Sequence, residues 1–201
     1  MSKKSLNAKE LTTISILIAI VLIMAFTPLG YFRTAGLEIS LITIPVVIGA
    51  MLGGPLTGAV LGGVFGITSF IQCFGFSPFG TVLLGINPVY TFLVCVPTRI
   101  LVGYLTAIIF KAFKNLEKIK NVRYFICGFL GALLNTVFFM GTLILLFWNT
   151  EYIQSINSGF GGLSIIGFVI AFVGINGLLE MPLTCIIGGG ISRAVAKALN
   201  K

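Results

Sequence analysis

The chain has 201 residues, of which 57% are hydrophobic and only 9% are charged. A soluble domain normally carries about 25% charged residues, so this composition excludes a soluble globular fold and indicates an integral membrane protein. The net charge of +8 does not indicate nucleic-acid binding, because the basic residues stand almost entirely between and beyond the apolar runs. The length allows a single domain over residues 1–201.

Six apolar runs follow one another along the chain, and we interpret each as a transmembrane helix. They are Leu11–Pro28, Ile39–Leu52, Leu56–Gln72, Asn87–Phe113, Tyr124–Trp148 and Leu163–Ala196. The first run lacks a small-residue cleavage site, so it is expected to be a retained helix rather than a signal peptide. The second is short for a hydrocarbon core of about 30 Å. The stretch from Phe74 to Ile86 is expected to be a loop with a helical turn. The predicted fold class is therefore an all-α membrane protein with six transmembrane helices.

The distribution of Lys and Arg predicts the orientation of these spans. Basic residues cluster before the first span, between the fourth and fifth, and at the end of the chain: Lys3, Lys4, Lys9, Lys111, Lys114, Lys118, Lys120, Arg123, Arg193, Lys197 and Lys201. With six spans, all three groups fall on one side of the membrane, and only Arg33 falls on the other. Because basic loops stay in the cytoplasm, we expect a multi-pass protein of the cell membrane with both termini cytoplasmic.

Small residues recur at helical spacing in two of the spans. Gly58, Gly62 and Gly66 lie four residues apart in the third span. This spacing lets two helix backbones approach closely and favours packing within the protein. A weaker pair, Ser15 and Ala19, lies in the first span and faces either another helix of this chain or a separate membrane subunit.

The four cysteines do not form a recognisable motif. Cys73, Cys95, Cys127 and Cys185 are scattered within or beside apolar segments, and the chain has neither a C-x-x-C pair nor a histidine. The sequence therefore predicts no metal site, no disulfide framework and no bound cofactor. We interpret the cysteines as small apolar packing residues.

Three polar residues on three different spans are expected near the middle of the membrane. Arg99 lies twelve residues beyond Asn87, Asn135 lies twelve beyond Arg123 and Glu180 lies thirteen before Arg193, which is about 18–20 Å along the helix axis in each case. Asn176, Glu180 and Thr184 recur every four residues and so share one helix face. A charged group in lipid costs at least about 2.5–3.5 kcal/mol, and these side chains are therefore expected to turn inward.

Two interpretations of these residues remain open. In the first, Arg99 and Glu180 form an ion pair that closes the bundle. In the second, both residues contribute to a ligand pocket together with Asn135 and Asn176. We favour the pocket, with Asn87 at the start of the fourth span as a further candidate ligand contact. The sequence contains no His or Asp, no nucleophile beside a base and no P-loop. No catalytic residues are expected, and uphill transport would need an ion gradient or partner subunits.

The order of several segments resembles the substrate-binding S components of energy-coupling factor (ECF) vitamin transporters. The resemblance covers nearly the whole chain and is carried by TPLGY (Thr27–Tyr31), Ile44–Phe70, Pro97–Lys111, Gly131–Gly141 and Asn176–Glu180. It implies a six-helix bundle that binds a vitamin with high affinity in an outward-facing pocket. It also implies docking through the first three helices onto a membrane T subunit that two ATPase subunits drive.

The resemblance also implies roles for individual residues. Ser15 and Ala19 would contact the T subunit, although Ser15 departs from the strict alanine pair of the family. Within the family the chain is most similar to pantothenate-type members. Pantothenate is a carboxylate with hydroxyls and an amide, so Arg99 would pair with its carboxylate.

The sequence leaves one alternative for the cargo and one for the class of transporter. Riboflavin or another vitamin is the alternative cargo. A self-sufficient secondary transporter is the alternative class, against which stand the missing internal repeat and the single deep carboxylate, Glu180.

Overall fold

A computed structural model of the chain describes residues 8–34, 37–113 and 122–198, and it is built almost entirely of helices. The elements in chain order are α1 (Ala8–Ala25), β1 (Tyr31–Thr34), β2 (Leu37–Ser40), α2 (Thr43–Gly53), α3 (Pro55–Gln72), α4 (Pro78–Ile86), α5 (Pro88–Phe113), α6 (Arg123–Phe147), α7 (Glu151–Gly159), α8 (Ile165–Leu183) and α9 (Gly189–Ala198). A π-helical turn, Thr184–Gly188, joins α8 to α9. The predicted all-α class is confirmed in this part of the chain.

Local sequence signals explain where several helices begin. Gly54 has a φ of 85°, a backbone conformation that glycine adopts readily, and it separates α2 from α3. Pro55 then occupies the first turn of α3, where its missing N–H costs no hydrogen bond. Ser77 caps α4 by accepting from the Gly80 amide at 3.1 Å, and Thr150 caps α7.

Only some of the helices have the length that a full membrane crossing requires. Among the described residues, α3, α5 and α6 are long and apolar enough to span a bilayer. The halves Ile165–Gly174 and Leu179–Ala198 are bent by 51° to each other and would make a fourth crossing if they form one span. α1 and α2 are apolar but shorter. The described structure therefore shows a multi-helix membrane bundle, with three or four crossings by length and composition.

Two details of the sequence prediction were wrong. Ile39 does not begin a helix but lies in β2, which pairs with β1 as an antiparallel hairpin in the register Tyr31↔Ser40. The stretch after Phe74 contains the nine-residue helix α4 rather than a loop with one turn. The last predicted span, by contrast, is helical from Ile165 onward, although it contains Pro182 and the π-helical turn; proline removes a helix hydrogen bond and clashes with the preceding turn.

The glycines of α3 bring it directly against α5, and this confirms the predicted packing within the protein. A Cβ at Gly58 would overlap the backbone of Gly103, one at Gly62 would overlap the carbonyl of Arg99, and one at Gly66 would lie 2.8 Å from the Val96 Cα. The paired positions run in opposite directions along the two helices, so α3 and α5 are antiparallel and touch through their backbones.

Side-chain contacts give the relative directions of further helices. α5 and α6 are antiparallel, with contacts at three successive levels: Phe110 with Tyr124, Thr106 with Gly131, and Tyr90 with Phe147. Gln72 at the end of α3 donates to the carbonyl of Ala25 at the end of α1 at 2.5 Å, so the C-terminal ends of these two helices meet. The hairpin, α4 and α7 consequently lie at one end of the bundle, and the beginning of α1 and the end of α9 lie at the other.

Several residues behind the predicted orientation lie outside the described part of the chain. They are Lys3, Lys4, Lys114, Lys118, Lys120 and Lys201. The backbone of Arg33 lies in β1, at the end of the bundle opposite to α9.

Candidate functional site

A cavity with a mixed polar and apolar lining lies between the middle of the bundle and the end that carries the hairpin and α4. Its volume is about 120 Å³, and since one water needs about 10–15 Å³ on this measure, it has room for a small organic molecule. The polar lining comprises Tyr31, Ser40, Ser69, Gln72, Ser77, Thr91, Arg99, Asn135, Thr136 and Glu180. Apolar walls come mainly from Phe65, Phe79, Leu83, Phe139, Met140 and Phe172.

A carboxylate and an amide from different helices meet at the inner end of this cavity. Glu180 of α8 is buried, and its Oε1 accepts hydrogen bonds from Thr43 Oγ1 at 2.8 Å and from Asn135 Nδ2 at 3.0 Å. The buried Oδ1 of Asn135 has no hydrogen-bond partner among the described residues. Because leaving a buried acceptor unpaired costs free energy, Asn135 is suited to accept a hydrogen bond from a ligand in the cavity.

Arg99 of α5 is the buried cation in the lining. Its Nη1 donates to the Val94 carbonyl at 2.5 Å and to Thr98 Oγ1 at 3.0 Å, while its Nε has no partner among the described residues. The guanidinium also lies over two aromatic rings, 5.5 Å from the centroid of Phe65 and 4.8 Å from that of Phe139. The rings stabilise the cation through their negative faces and leave polar edges of the guanidinium for a ligand.

Arg99 and Glu180 line the same cavity without forming an ion pair in the described structure. Arg99 donates to groups of its own helix, and Glu180 accepts from Thr43 and Asn135. The ion pair, one of the two interpretations left open by the sequence, is therefore not formed in the described structure.

The other predicted site residues are placed differently. Asn87 does not line the cavity: its Oδ1 accepts from the amides of Val89 at 3.0 Å and Tyr90 at 3.1 Å and so caps the start of α5. Asn176 lies on α8, and its side chain is outside the described part of the structure. Ser15 and Ala19 are exposed on α1, away from the cavity.

Two residues of the site were not predicted from the sequence: Gln72, which lines the cavity, and Thr43, which donates a hydrogen bond to Glu180. Gln72 is a lone amide at the end of an apolar span, and this isolation was a usable signal. Thr43, which holds Glu180, gave no such signal, because threonine is common in apolar helices and only the fold brings it to a residue 137 positions away.

The arrangement suits the binding of a small polar molecule rather than catalysis. A fixed cation, an unpaired amide acceptor and a carboxylate provide convergent polar contacts inside mainly apolar walls, the usual composition of a ligand site. No group of three or more potential metal ligands occurs in the described part of the chain.

A helical membrane bundle with such a cavity defines a membrane-embedded substrate-binding protein. The family model described as "ECF transporter, substrate-specific component" matches residues 9–188. This chain therefore belongs to the family of ECF transporter substrate-specific components, which are transport proteins of the membrane and not enzymes.

One relative of the chain is named for a particular transported compound. The chain is 29% identical over 177 residues to a protein of Lactococcus lactis subsp. cremoris (strain MG1363) named pantothenic acid transporter PanT. The match covers 80% of this chain and 79% of the relative. The resemblance deduced from the sequence is thus confirmed at the level of the family.

Proposed function

We propose that this protein is the high-affinity pantothenate-binding subunit of an ECF-type importer. In this proposal six segments cross the cell membrane, both termini are cytoplasmic, and the cavity opens to the outside. A T subunit and two ATPase subunits supply the energy for release inside. The similarity to the pantothenic acid transporter PanT supports the cargo, and family membership supports the role as a substrate-binding component.

The observation that carries the proposal is the buried guanidinium of Arg99, which has no carboxylate partner among the described residues. A buried charge is costly unless it is paired, so an anionic ligand gains affinity by supplying the missing charge. Pantothenate has one carboxylate, and Arg99 binds it by charge-assisted hydrogen bonds. A neutral cargo would leave the Arg99 guanidinium without a carboxylate at hydrogen-bond distance.

The remainder of pantothenate matches the other polar groups of the cavity. Its hydroxyls and amide N–H are donors, and acceptors are available at Asn135 Oδ1 and on the Glu180 carboxylate. Its dimethyl group requires apolar contact, which Phe172 and Met140 provide. In this assignment Arg99 binds one end of the vitamin, and Asn135 with Glu180 binds the other.

Calorimetric titration of the detergent-purified protein with pantothenate and with riboflavin tests the proposal. We expect tight one-to-one binding of pantothenate, lost in Arg99→Ala and retained in Arg193→Ala, which removes an exposed arginine of α9. Riboflavin binding in place of pantothenate, or equal binding by the wild type and Arg99→Ala, would contradict the assignment.

The partner-dependent mechanism needs a separate experiment. Reconstituted vesicles that contain this protein alone should bind pantothenate without accumulating it. Addition of the T subunit, both ATPases and ATP should produce accumulation. Accumulation by the protein alone, driven by an ion gradient, would show a secondary transporter instead.

A further inference from the structure

Two of the four cysteines, distant in sequence, meet in the wall of the substrate cavity. Cys73 directly follows α3 and Cys95 lies in α5, and their Sγ atoms are 4.0 Å apart. Both are buried, both line the cavity, and neither is in a disulfide. The sequence interpretation of all cysteines as separate packing residues is therefore incomplete for this pair.

The separation of the two sulfurs fits a bridging metal ion. With metal–sulfur bonds of about 2.3 Å, as in zinc thiolates, two sulfurs 4.0 Å apart enclose an ion at an angle of about 120°. A direct disulfide has an S–S distance of about 2.05 Å, so it would require the sulfurs to approach by nearly 2 Å. The observed separation therefore accommodates a bridging ion without movement of the sulfurs.

The surroundings position both thiols toward each other. The Cys73 thiol donates to the Ser69 carbonyl at 3.4 Å, and the Ser69 hydroxyl lies 4.0 Å from the Cys95 sulfur. A Cβ at Gly80 would lie only 2.6 Å from the Cys73 sulfur, so α4 packs closely against this side chain. Contacts with Ser69 and with α4 therefore restrict the positions of the two thiols.

We infer that Cys73 and Cys95 form a binding site for one soft, thiophilic cation of low coordination number, of which Cu⁺ is the representative. Thiolates select such soft ions, whereas Zn²⁺ is almost always held by four ligands. On binding, both thiols lose their protons and each sulfur donates one electron pair to Cu⁺. Two protons are released, and the resulting centre carries a single negative charge.

The charge of this centre is compensated inside the cavity. Arg99 follows Cys95 by one helical turn on α5 and lines the same space. Its guanidinium, which we assign to the cargo carboxylate, also compensates the negative charge of the metal-bound pair. Occupancy by the ion would place a filled metal centre in the wall of the substrate cavity.

Anaerobic titration of the reduced, full-length protein with Cu⁺ against a chromogenic chelator tests this site without reference to any vitamin. We expect one ion per chain. Because loss of even an indirect contact costs about 10–100-fold in metal affinity, Cys73→Ser and Cys95→Ser should each lose more than that. Cys127→Ser removes a buried cysteine outside the cavity and should bind like the wild type.

X-ray absorption of the copper-loaded wild type provides a readout that does not depend on the folding of any variant. The expected spectrum shows two sulfur neighbours per copper. Absence of stoichiometric binding, a spectrum dominated by oxygen or nitrogen neighbours, or unchanged affinity in a folded Cys73→Ser or Cys95→Ser protein would overturn the inference.

Discussion

Gly62 of α3 lies directly against the backbone carbonyl of Arg99 in α5. The residue with the buried charge is thus positioned by a residue that has no side chain. This contact joins the packing of two helices to the placement of the guanidinium, and it gives the small-residue spacing of α3 a role in the ligand site as well as in the bundle.

Gly62→Ala should therefore impair both stability and binding. A Cβ at this position overlaps the Arg99 carbonyl, and overpacking of this kind costs about 1–3 kcal/mol. Thermal unfolding in detergent and pantothenate titration measure the two effects. The control is Gly63→Ala, whose Cβ would lie 3.6 Å from Ile100 Cγ1, an ordinary contact. Equal behaviour of the two variants would argue against the backbone contact.

Two substitutions of Glu180 distinguish the contribution of its hydrogen bonds to stability from that of its charge. Glu180→Gln keeps an Oε1 acceptor for Thr43 and Asn135, so the unfolding temperature of the vitamin-free protein should change little. Glu180→Leu leaves both buried donors unpaired, at about 1–3 kcal/mol each, and should lower that temperature clearly. The order of the two variants in a thermal scan is decisive, and a Leu variant as stable as the Gln variant would show that these bonds contribute nothing.

Arg99→Lys should bind pantothenate more weakly than the wild type although the charge is kept. Lysine lacks the planar fork of donors that matches a carboxylate, and one charge-assisted hydrogen bond is worth about 1.5–3 kcal/mol. The dissociation constant measured by calorimetry should rise roughly 10- to 100-fold. An affinity unchanged by this substitution would mean that the cargo carboxylate meets only a positive charge, without directional bonds.

Asn87 is expected to stabilise the start of α5 without affecting the affinity for the cargo. Asn87→Ala removes the side-chain cap that accepts from Val89 and Tyr90, which costs about 0.5–2 kcal/mol. Asn87→Asp retains a capping oxygen and serves as the control. Calorimetry should give the same pantothenate affinity for both variants, and a selective loss of affinity in Asn87→Ala would return this residue to the ligand site.

The exposed small residues of α1 should affect transport but not binding. Ala19→Trp places a large ring where we propose that the T subunit docks, and close helix approach requires small residues. Pantothenate affinity should be unchanged, whereas uptake in vesicles with the T subunit and ATPases should be lost. Val137→Trp enlarges an exposed residue of α6 and should leave uptake intact. Uptake by the Ala19→Trp protein at the wild-type rate would remove α1 from the docking surface.

The sequence was most informative where burial in lipid restricts the choice of residue. Arg99, Asn135 and Glu180 are conspicuous because polar groups are rare in apolar spans, and the structure brings all three to one cavity. The spacing of Gly58, Gly62 and Gly66 likewise identified a helix contact, since close packing requires small residues at that period.

The missed features depend on contacts between distant segments. The pairing of Cys73 with Cys95 and the bond from Thr43 to Glu180 follow from the arrangement of helices, which no local pattern encodes. The hairpin was hidden because Ile39 continues an apolar run, and short apolar segments fit strand or helix equally well. Asn87 was misleading because a capping asparagine and a ligand-binding asparagine look alike in sequence.

The hydrogen bond from Gln72 to the carbonyl of Ala25 connects the lining of the cavity with helix α1. Gln72 belongs to the lining of the cavity, whereas Ala25 ends the helix whose exposed side carries Ser15 and Ala19. Because this bond is buried, a tilt of α1 would either move the Gln72 part of the cavity wall or break the bond. A membrane partner that binds α1, as we propose for the T subunit, would therefore be coupled to the wall of the cavity without contacting the cavity itself.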